Sequence, residues 1–180
     1  DYNIIHALRA HGWDRGLKNN KSNFNFINSG FNVRPNEISA AIGYNQFNRL
    51  NKLKNVRYIN RDKIIYSLKS SNKWKNQFTF IEADKKLQPS WFGLPILINE
   101  KFISKKSRFL NYLNKCGIET RPIISGNFIN QKSVKLYNLN PDNLKFKGAQ
   151  EIEDRGFFIG IHTNLISDEK LLFISKRLFN

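Results

Sequence analysis

Disulfide bridges and membrane-spanning segments are the first features that this sequence of 180 residues lacks. The single cysteine, Cys116, has no partner for a disulfide within the chain, which favours a reducing cytoplasm. No stretch approaches the roughly 20 continuous apolar residues of a membrane-spanning helix, and the longest apolar runs, at 91–98 and 157–161, have the length of strands. Disorder is not predicted either, because 40% of the residues are hydrophobic and 13% are aromatic.

Methionine is absent altogether, and the chain opens at Asp1. Because an open reading frame starts with methionine, we expect this chain to be a fragment of a longer protein. Internal repeats and long low-complexity stretches are absent as well, so neither a repeat array nor a flexible linker is predicted.

Acidic residues are scarce. The chain has 14 aspartates and glutamates against 30 lysines and arginines, and its net charge is +16. One interpretation is a basic nucleic-acid-binding domain, in which cations and aromatic side chains gather on one face. The lysines are instead scattered in groups of two or three between apolar positions, as on a solvated face. We therefore favour background charge and keep nucleic-acid binding as the alternative. A third possibility is a non-catalytic interaction domain left by gene decay.

The first 70 residues predict two helices that are joined by a loop. Residues 1–12 have apolar positions on one helical face and end at Gly12, and residues 13–34 are rich in Asn, Ser and Gly. Within that loop, Phe24 and Phe26 alternate as in a short strand. A long helix is predicted from Pro35, with Glu37 in its first turn, to about residue 69.

The rest of the chain alternates between strands and helices. Apolar runs predict strands at 78–81, 91–98, 118–124 and 157–161. Ser104 is expected to cap a helix that Gly117 ends, a short helix follows near 148–154, and Ser167 starts the last one. This order predicts a small α+β or α/β layer domain.

Three segments carry residues suited to chemistry. The first, 30–43, places Asn32 and Arg34 just before a helix N-terminus, a combination that suits an oxyanion such as phosphate. The alternative is a plain helix start. The second, 117–128, is a strand with a buried-looking Arg121, which can hold a diphosphate or a sugar hydroxyl. Its alternative is an edge-strand arginine that pairs with Glu119 or with solvent.

The third segment, 156–164, is an apolar strand that ends in His162. A histidine at a strand end can act as acid, base or ligand, and the alternative is a purely structural role.

Together these segments resemble the DegT/DnrJ/EryC1/StrS family of sugar aminotransferases. The resemblance runs from Ala7-Leu8-Arg9-Ala10-His11-Gly12-Trp13 through Phe31-Asn32-Val33-Arg34-Pro35 to the C-terminus. Arg121-Pro122-Ile123-Ile124-Ser125-Gly126-Asn127-Phe128 and Phe157-Phe158-Ile159-Gly160-Ile161-His162 are most similar to its 3-dehydratase branch in the colitose pathway. The substrate of that branch is GDP-4-keto-6-deoxy-mannose.

The resemblance implies an α/β protein, the C-terminal portion of an aspartate-aminotransferase-like enzyme of fold type I. Residues 1–34 would end the large cofactor-binding domain, 35–70 would form the connecting helix, and 71–180 would form a small C-terminal α+β domain. It further implies a cytoplasmic homodimer with pyridoxal 5'-phosphate at the subunit interface. The anchor lysine that holds the cofactor, or the histidine that replaces it in dehydratases, would precede residue 1. No catalytic residue and no metal site are therefore expected within this chain.

The resemblance also implies roles for individual residues. Asn32 would reach the cofactor phosphate of the neighbouring subunit, with Arg34 assisting. The substrate would be a GDP- or CDP-linked 4-keto-6-deoxy sugar of surface-polysaccharide (O-antigen) biosynthesis, and the amino donor a compound such as glutamate. Residues expected to contact that sugar nucleotide or to shape its pocket are His11, Trp13, Arg15, Arg121, Asn127 and His162.

Overall fold

The computed structural model describes residues 1–14, 25–84 and 86–179, and the chain divides into two compact units. The N-terminal unit comprises Asp1–Leu50 and the C-terminal unit comprises Asn51–Asn180. Helix α2, Glu37–Lys69, contributes residues to both. The assignment of 1–34, 35–70 and 71–180 to separate parts of a larger enzyme stays a prediction.

The N-terminal unit begins with helix α1, Tyr2–Leu8, which is shorter than the predicted helix over 1–12. The prediction was wrong beyond Leu8 because His11 and Gly12 have φ values of 65° and 81°, which no helix accommodates. Isolated antiparallel bridges then join Ala10 to Asn32 and Trp13 to Phe26. The predicted strand is thus a single bridge at Phe26, and Phe24 lies outside the described residues.

Helix α2 starts two residues later than predicted. The Oδ1 atom of Asn36 accepts a hydrogen bond of 2.8 Å from the backbone N–H of Ser39, so Asn36 caps the helix and Pro35 precedes it. The buried residues of α2 all lie in its C-terminal half, and they are Asn60, Arg61, Ile64, Ile65 and Leu68.

The C-terminal unit contains one antiparallel sheet. Its strands are β1 (Phe78–Phe80), β2 (Gly93–Ile98), β3 (Thr120–Arg121) and β4 (Gly156–Gly160), in the order β1-β2-β4-β3. Because every pairing is antiparallel, this unit follows the α+β alternative. The strand predicted over 118–124 shrinks to two residues.

Four α-helices follow β2 in the described chain. They are α3 (Lys106–Lys115), α4 (Lys132–Leu136), α5 (Lys147–Arg155) and α6 (Asp168–Leu178). Ser104 was wrongly predicted as a cap, because it lies inside a 3-10 helix, Glu100–Lys105, that Asn99 caps by accepting from the N–H of Lys101. Gly117, at φ 82°, follows α3 as predicted, and the Ser167 side chain caps α6.

The core of the C-terminal unit lies on one face of the sheet. Alternate residues of β2 and β4 point to this face and pack against helices α2, α3 and α6. The fully buried members are Leu68, Leu94, Ile96, Leu113 and Phe157. On the opposite face, the rings of Phe92 and Phe158 meet edge to face, with centroids 5.4 Å apart. None of the helices in the described residues is long and apolar enough to cross a membrane.

Candidate functional site

The backbone on both sides of Asn32 is fixed by hydrogen bonds to the segment after α1. The N–H of His11 donates to the carbonyl of Phe31 at 2.9 Å, and the N–H of Val33 donates to the carbonyl of Arg9 at 3.0 Å. The Asn32 side chain takes no part in these bonds and is exposed. The loop is therefore held in place while its amide stays available to a ligand.

Two glycines allow this loop to pack closely against the turn after α1. A Cβ atom on Gly12 would overlap the carbonyl of Asn28, and one on Gly30 would overlap the backbone N of Gly12. Gly12 also has a φ of 81°, a conformation that L side chains rarely adopt. Both positions therefore need glycine.

Arg34 and Trp13, predicted separately as a cofactor residue and a substrate residue, lie side by side. The guanidinium carbon of Arg34 is 5.8 Å from the centroid of the Trp13 ring, within range of a cation–π interaction. The Trp13 ring also stacks with the ring of Phe26, with centroids 6.2 Å apart. His11 is exposed on the same turn, and Arg15 lies outside the described residues. An amide, a cation and a capped helix start therefore occur within five positions, at Asn32, Arg34 and Asn36.

The C-terminal unit has a cavity of about 710 Å³ that brings Arg121 and His162 together. Its walls come from α2, β4, α6 and the segment that leads into the two-residue strand β3. Lys170 adds a further cation, and Phe92 and Phe158 add apolar surface. The volume lies within the range of small-molecule sites.

Arg121 is not buried, so that part of its prediction was wrong. Its side chain is 66% exposed at the sheet edge, and its Nη2 atom lies 2.7 Å from the Oε1 atom of Glu119. The alternative, an edge-strand arginine paired with Glu119, is what the structure has. Exposed pairs of this kind contribute about 0–1 kcal/mol, so the guanidinium can exchange Glu119 for an anionic ligand at little cost.

His162 lies on an exposed loop whose backbone is hydrogen-bonded to the side chain of Asn60. The Nδ1 atom of His162 accepts from the N–H of Asn164 at 3.0 Å, which leaves Nε2 as the protonated nitrogen of the neutral ring. Asn60 donates through Nδ2 to the carbonyls of His162 and Asn164, at 3.0 and 2.7 Å, and accepts from the N–H of Ile166 at 2.9 Å. Asn60 was not predicted from the sequence as a functional residue. The sequence feature that could have indicated Asn60 is an amide side chain next to the apolar positions of α2.

Asn127 is buried, with 3% of its surface exposed, and is bonded to α5. Its backbone N–H donates to Glu153 Oε2 at 2.7 Å and its Nδ2 donates to Gln150 Oε1 at 3.0 Å. Asn127 is not among the residues that line the cavity of Arg121 and His162. Its direct contact with a sugar nucleotide stays a prediction.

Arg61 is a second residue that the sequence analysis missed. It is 4% exposed, and its Nη2 atom donates to the carbonyl of Ile81 and to Glu82, at 3.0 and 2.7 Å. Its guanidinium carbon lies 4.6 Å from the centroid of the Trp91 ring. Arg61 thus contacts Glu82 and also Trp91, the residue before Phe92 at the cavity wall.

The partly buried Lys106 side chain lies against the end of α5. Burial lowers the pKa of Lys106 below its ordinary value of 10.5, although Asp154 and Glu153 oppose the change. Its Nζ atom donates to the backbone carbonyls of Glu153 and Asp154, at 2.8 and 3.0 Å, near the C-terminus of α5. These bonds give the lysine a structural role.

Within 1–14, 25–84 and 86–179, no group of three or more His, Cys, Asp or Glu side chains is arranged to hold a metal.

Residues 2–174 match the family described as the DegT/DnrJ/EryC1/StrS aminotransferase family. A curated relative, the GDP-4-keto-6-deoxy-D-mannose 3-dehydratase of Escherichia coli O55:H7, is 31% identical over 180 residues. That alignment covers 93% of this chain and 45% of the relative, so the chain spans about half of that relative's length.

Solved structures of such an enzyme have the same fold. The structure of the E. coli GDP-4-keto-6-deoxy-D-mannose-3-dehydratase with bound hydrated PLP superposes with a TM-score of 0.82 at 28% identity, covering 98% of this chain and 47% of the other. A second, the GDP-4-keto-6-deoxymannose-3-dehydratase with a trapped PLP-glutamate geminal diamine, has a TM-score of 0.77 at 28% identity with the same coverage. The predicted fold class, part of a fold type I pyridoxal-phosphate enzyme, is confirmed.

Proposed function

Because this chain belongs to the DegT/DnrJ/EryC1/StrS aminotransferase family, we propose that it acts as part of a pyridoxal-phosphate enzyme that converts a 4-keto-6-deoxy sugar nucleotide. The main support for the proposal is the loop around Asn32. Its backbone is fixed by hydrogen bonds on both sides, while the Asn32 amide is exposed two positions before Arg34. The two solved structures with similar folds are dehydratases of such a sugar, one with bound hydrated PLP and the other with a trapped PLP-glutamate geminal diamine.

The residues of the loop fit the phosphate of the cofactor. Asn32 would donate a hydrogen bond to a phosphate oxygen, Arg34 would supply positive charge, and the first turn of α2 adds its dipole. The cofactor, when bound, supplies an electron sink. Following the family, we place the contact across a homodimer, with Asn32 on the cofactor of the neighbouring subunit. The anchor residue would lie outside residues 1–180.

The cavity of the C-terminal unit fits the sugar nucleotide. Arg121 and Lys170 can face its phosphates, and the Nε2 atom of His162 can donate to a hydroxyl. GDP is the nucleotide that the related dehydratase uses, and CDP remains the other candidate. Glutamate is proposed as the amino donor because the related enzyme forms an adduct with it. A cytoplasmic role in O-antigen biosynthesis belongs to the same proposal.

An assay of the full-length protein tests this function. The protein is incubated with pyridoxal phosphate, glutamate and GDP-4-keto-6-deoxy-mannose, and the products are identified by mass spectrometry. A dehydratase would yield a sugar nucleotide without the C3 hydroxyl, and an aminotransferase would yield one with an amine at C4. If both products are absent while the protein is folded and holds the cofactor, the proposed function is wrong.

Residues 1–180 alone should not bind pyridoxal phosphate covalently. None of the lysines matches the anchor position that the family resemblance implies, and Lys106, whose pKa is lowered, is occupied by two carbonyls. Incubation with the cofactor, borohydride reduction and peptide mass mapping measure this. One stoichiometric pyridoxyl-lysine at a defined position would show that the anchor lies in this chain.

Random duplex DNA should bind only weakly at physiological salt, without a defined site size. The comparisons with known proteins give the nucleic-acid alternative no support, and the scattered lysines present no continuous basic stripe. Fluorescence anisotropy with a labelled duplex at two salt concentrations is the measurement. Submicromolar affinity with a clear stoichiometry would revive the nucleic-acid alternative.

A further inference from the structure

The cavity of the C-terminal unit has one carboxylate among its cations. Of the described residues that line it, Arg121 and Lys170 carry positive charge and only Glu119 is acidic. The Glu119 side chain is 72% exposed, and its Oε1 atom lies 2.8 Å from Nε and 2.7 Å from Nη2 of Arg121. In a site for a nucleotide diphosphate, a carboxylate that faced the phosphates would repel them. Glu119 is therefore expected to face a part of the ligand that donates hydrogen bonds.

The backbone beside Glu119 is fixed, while its side chain stays exposed. Asn114 accepts through Oδ1 from the N–H of Thr120 at 2.8 Å and donates through Nδ2 to its hydroxyl at 3.0 Å. Thr120 also pairs with Ile159 across the sheet. Because the pair of Glu119 and Arg121 is exposed, little stability is lost when the two side chains separate. Arg121 can then bind a phosphate, while Glu119, two positions earlier, reaches another part of the same ligand.

Guanine is the part of a GDP-linked sugar that suits a carboxylate. Its N1–H and its N2 amine are neighbouring donors, which the two oxygens of one carboxylate can accept together. Cytosine instead places its single amine, at N4, beside the unprotonated N3 atom, whose lone pair a carboxylate repels. Stacking on the exposed ring of Phe92, which also lines the cavity, does not distinguish the two bases, because every base has a π face. The carboxylate does distinguish them.

We propose that Glu119 is the residue that selects the nucleobase of the substrate, and that the base it selects is guanine. In this arrangement Arg121 and Lys170 bind the diphosphate, and the Glu119 carboxylate accepts from N1–H and from the N2 amine. This inference rests on the proposed function, in which the base is either guanine or cytosine.

Titration calorimetry of the full-length protein, loaded with pyridoxal phosphate, tests Glu119 with GDP, IDP and CDP as ligands. IDP lacks only the N2 amine of guanine, so the wild type should bind GDP about tenfold more tightly than IDP, because a hydrogen bond to a charged group is lost. CDP should bind roughly 100-fold more weakly than GDP, because both bonds are lost. In Glu119→Ala the affinities for GDP and IDP should agree within about twofold. The ratio is the readout, because freeing Arg121 changes the affinity for all three diphosphates alike.

Glu151→Ala is the matched control, because Glu151 is an exposed partner of Arg155 at 3.3 Å and is not among the cavity residues. It removes the same charge, and its ratio of GDP to IDP affinity should equal that of the wild type. Equal wild-type affinities for GDP and IDP, or an unchanged ratio in Glu119→Ala, would overturn the inference while the proposed function stands. A wild-type preference for CDP would do the same. If the wild type binds none of the three diphosphates, the proposed nucleotide site fails, and the inference fails with it.

Discussion

Replacing Asn60 with alanine should lower the free energy of unfolding of the C-terminal unit by about 2–4 kcal/mol. The side chain is 2% exposed and makes three hydrogen bonds to the loop after β4. Each such bond contributes roughly 1 kcal/mol net, and partners left without water cost about 1–3 kcal/mol more. Asn60→Asp should be at least as harmful, because it turns a carboxylate oxygen toward the carbonyls of His162 and Asn164.

Urea denaturation followed by tryptophan fluorescence measures this loss. Asn55→Ala is the matched control, since Asn55 is exposed on the same helix and alanine favours helix formation, so stability should change by less than about 0.5 kcal/mol. Equal stabilities of Asn60→Ala and Asn55→Ala would show that the loop does not depend on the buried amide. The proposed placement of His162 at the cavity would then lose its structural basis.

The sequence predicted most elements of the C-terminal unit because local signals agree there with the packing. The alternating buried positions of β2 and β4 identify these strands, and Ser167 and Gly117 mark helix ends through their own side chain or conformation. Errors arose where two local signals compete. Pro35 and Asn36 both suit a helix start, and only the bond from Ser39 shows that Asn36 is the cap.

Long-range partners were beyond the reach of sequence analysis. Asn60 and Arg61 were missed because their partners lie up to 106 and 21 positions away and because polar residues on a helix are usually exposed. Arg121 was expected to be buried because its segment has an apolar character. Strand β3, however, lies at the sheet edge and ends before Pro122, which has no N–H to donate to a ladder.

The residues of the candidate site also differ in how far they could be predicted from local sequence. Asn32 and Arg34 are two positions apart, so their common location was predictable from sequence. Arg121 and His162 line the same cavity because β3 pairs with β4, a pairing that no single motif encodes.

The role of Asn32 can be measured in the full-length protein. If the amide donates to the cofactor phosphate, Asn32→Ala should weaken cofactor binding, because a hydrogen bond to a charged group contributes about 1.5–3 kcal/mol. That corresponds to roughly 10- to 150-fold in affinity. Asn32→Asp should be worse, because it brings a carboxylate close to a phosphate dianion. Cofactor titration by absorbance measures both effects.

The fold should survive both substitutions of Asn32. The loop is fixed by backbone bonds of its neighbours, from His11 to Phe31 and from Val33 to Arg9, and none uses the Asn32 side chain. A dimer should persist as well, since one polar contact is a small part of a subunit interface. Asn3→Ala, on the exposed surface of α1, is the control, and size-exclusion chromatography monitors assembly. If both Asn32 variants keep wild-type cofactor affinity, Asn32 does not contact the cofactor phosphate, and the residue role taken from the family fails.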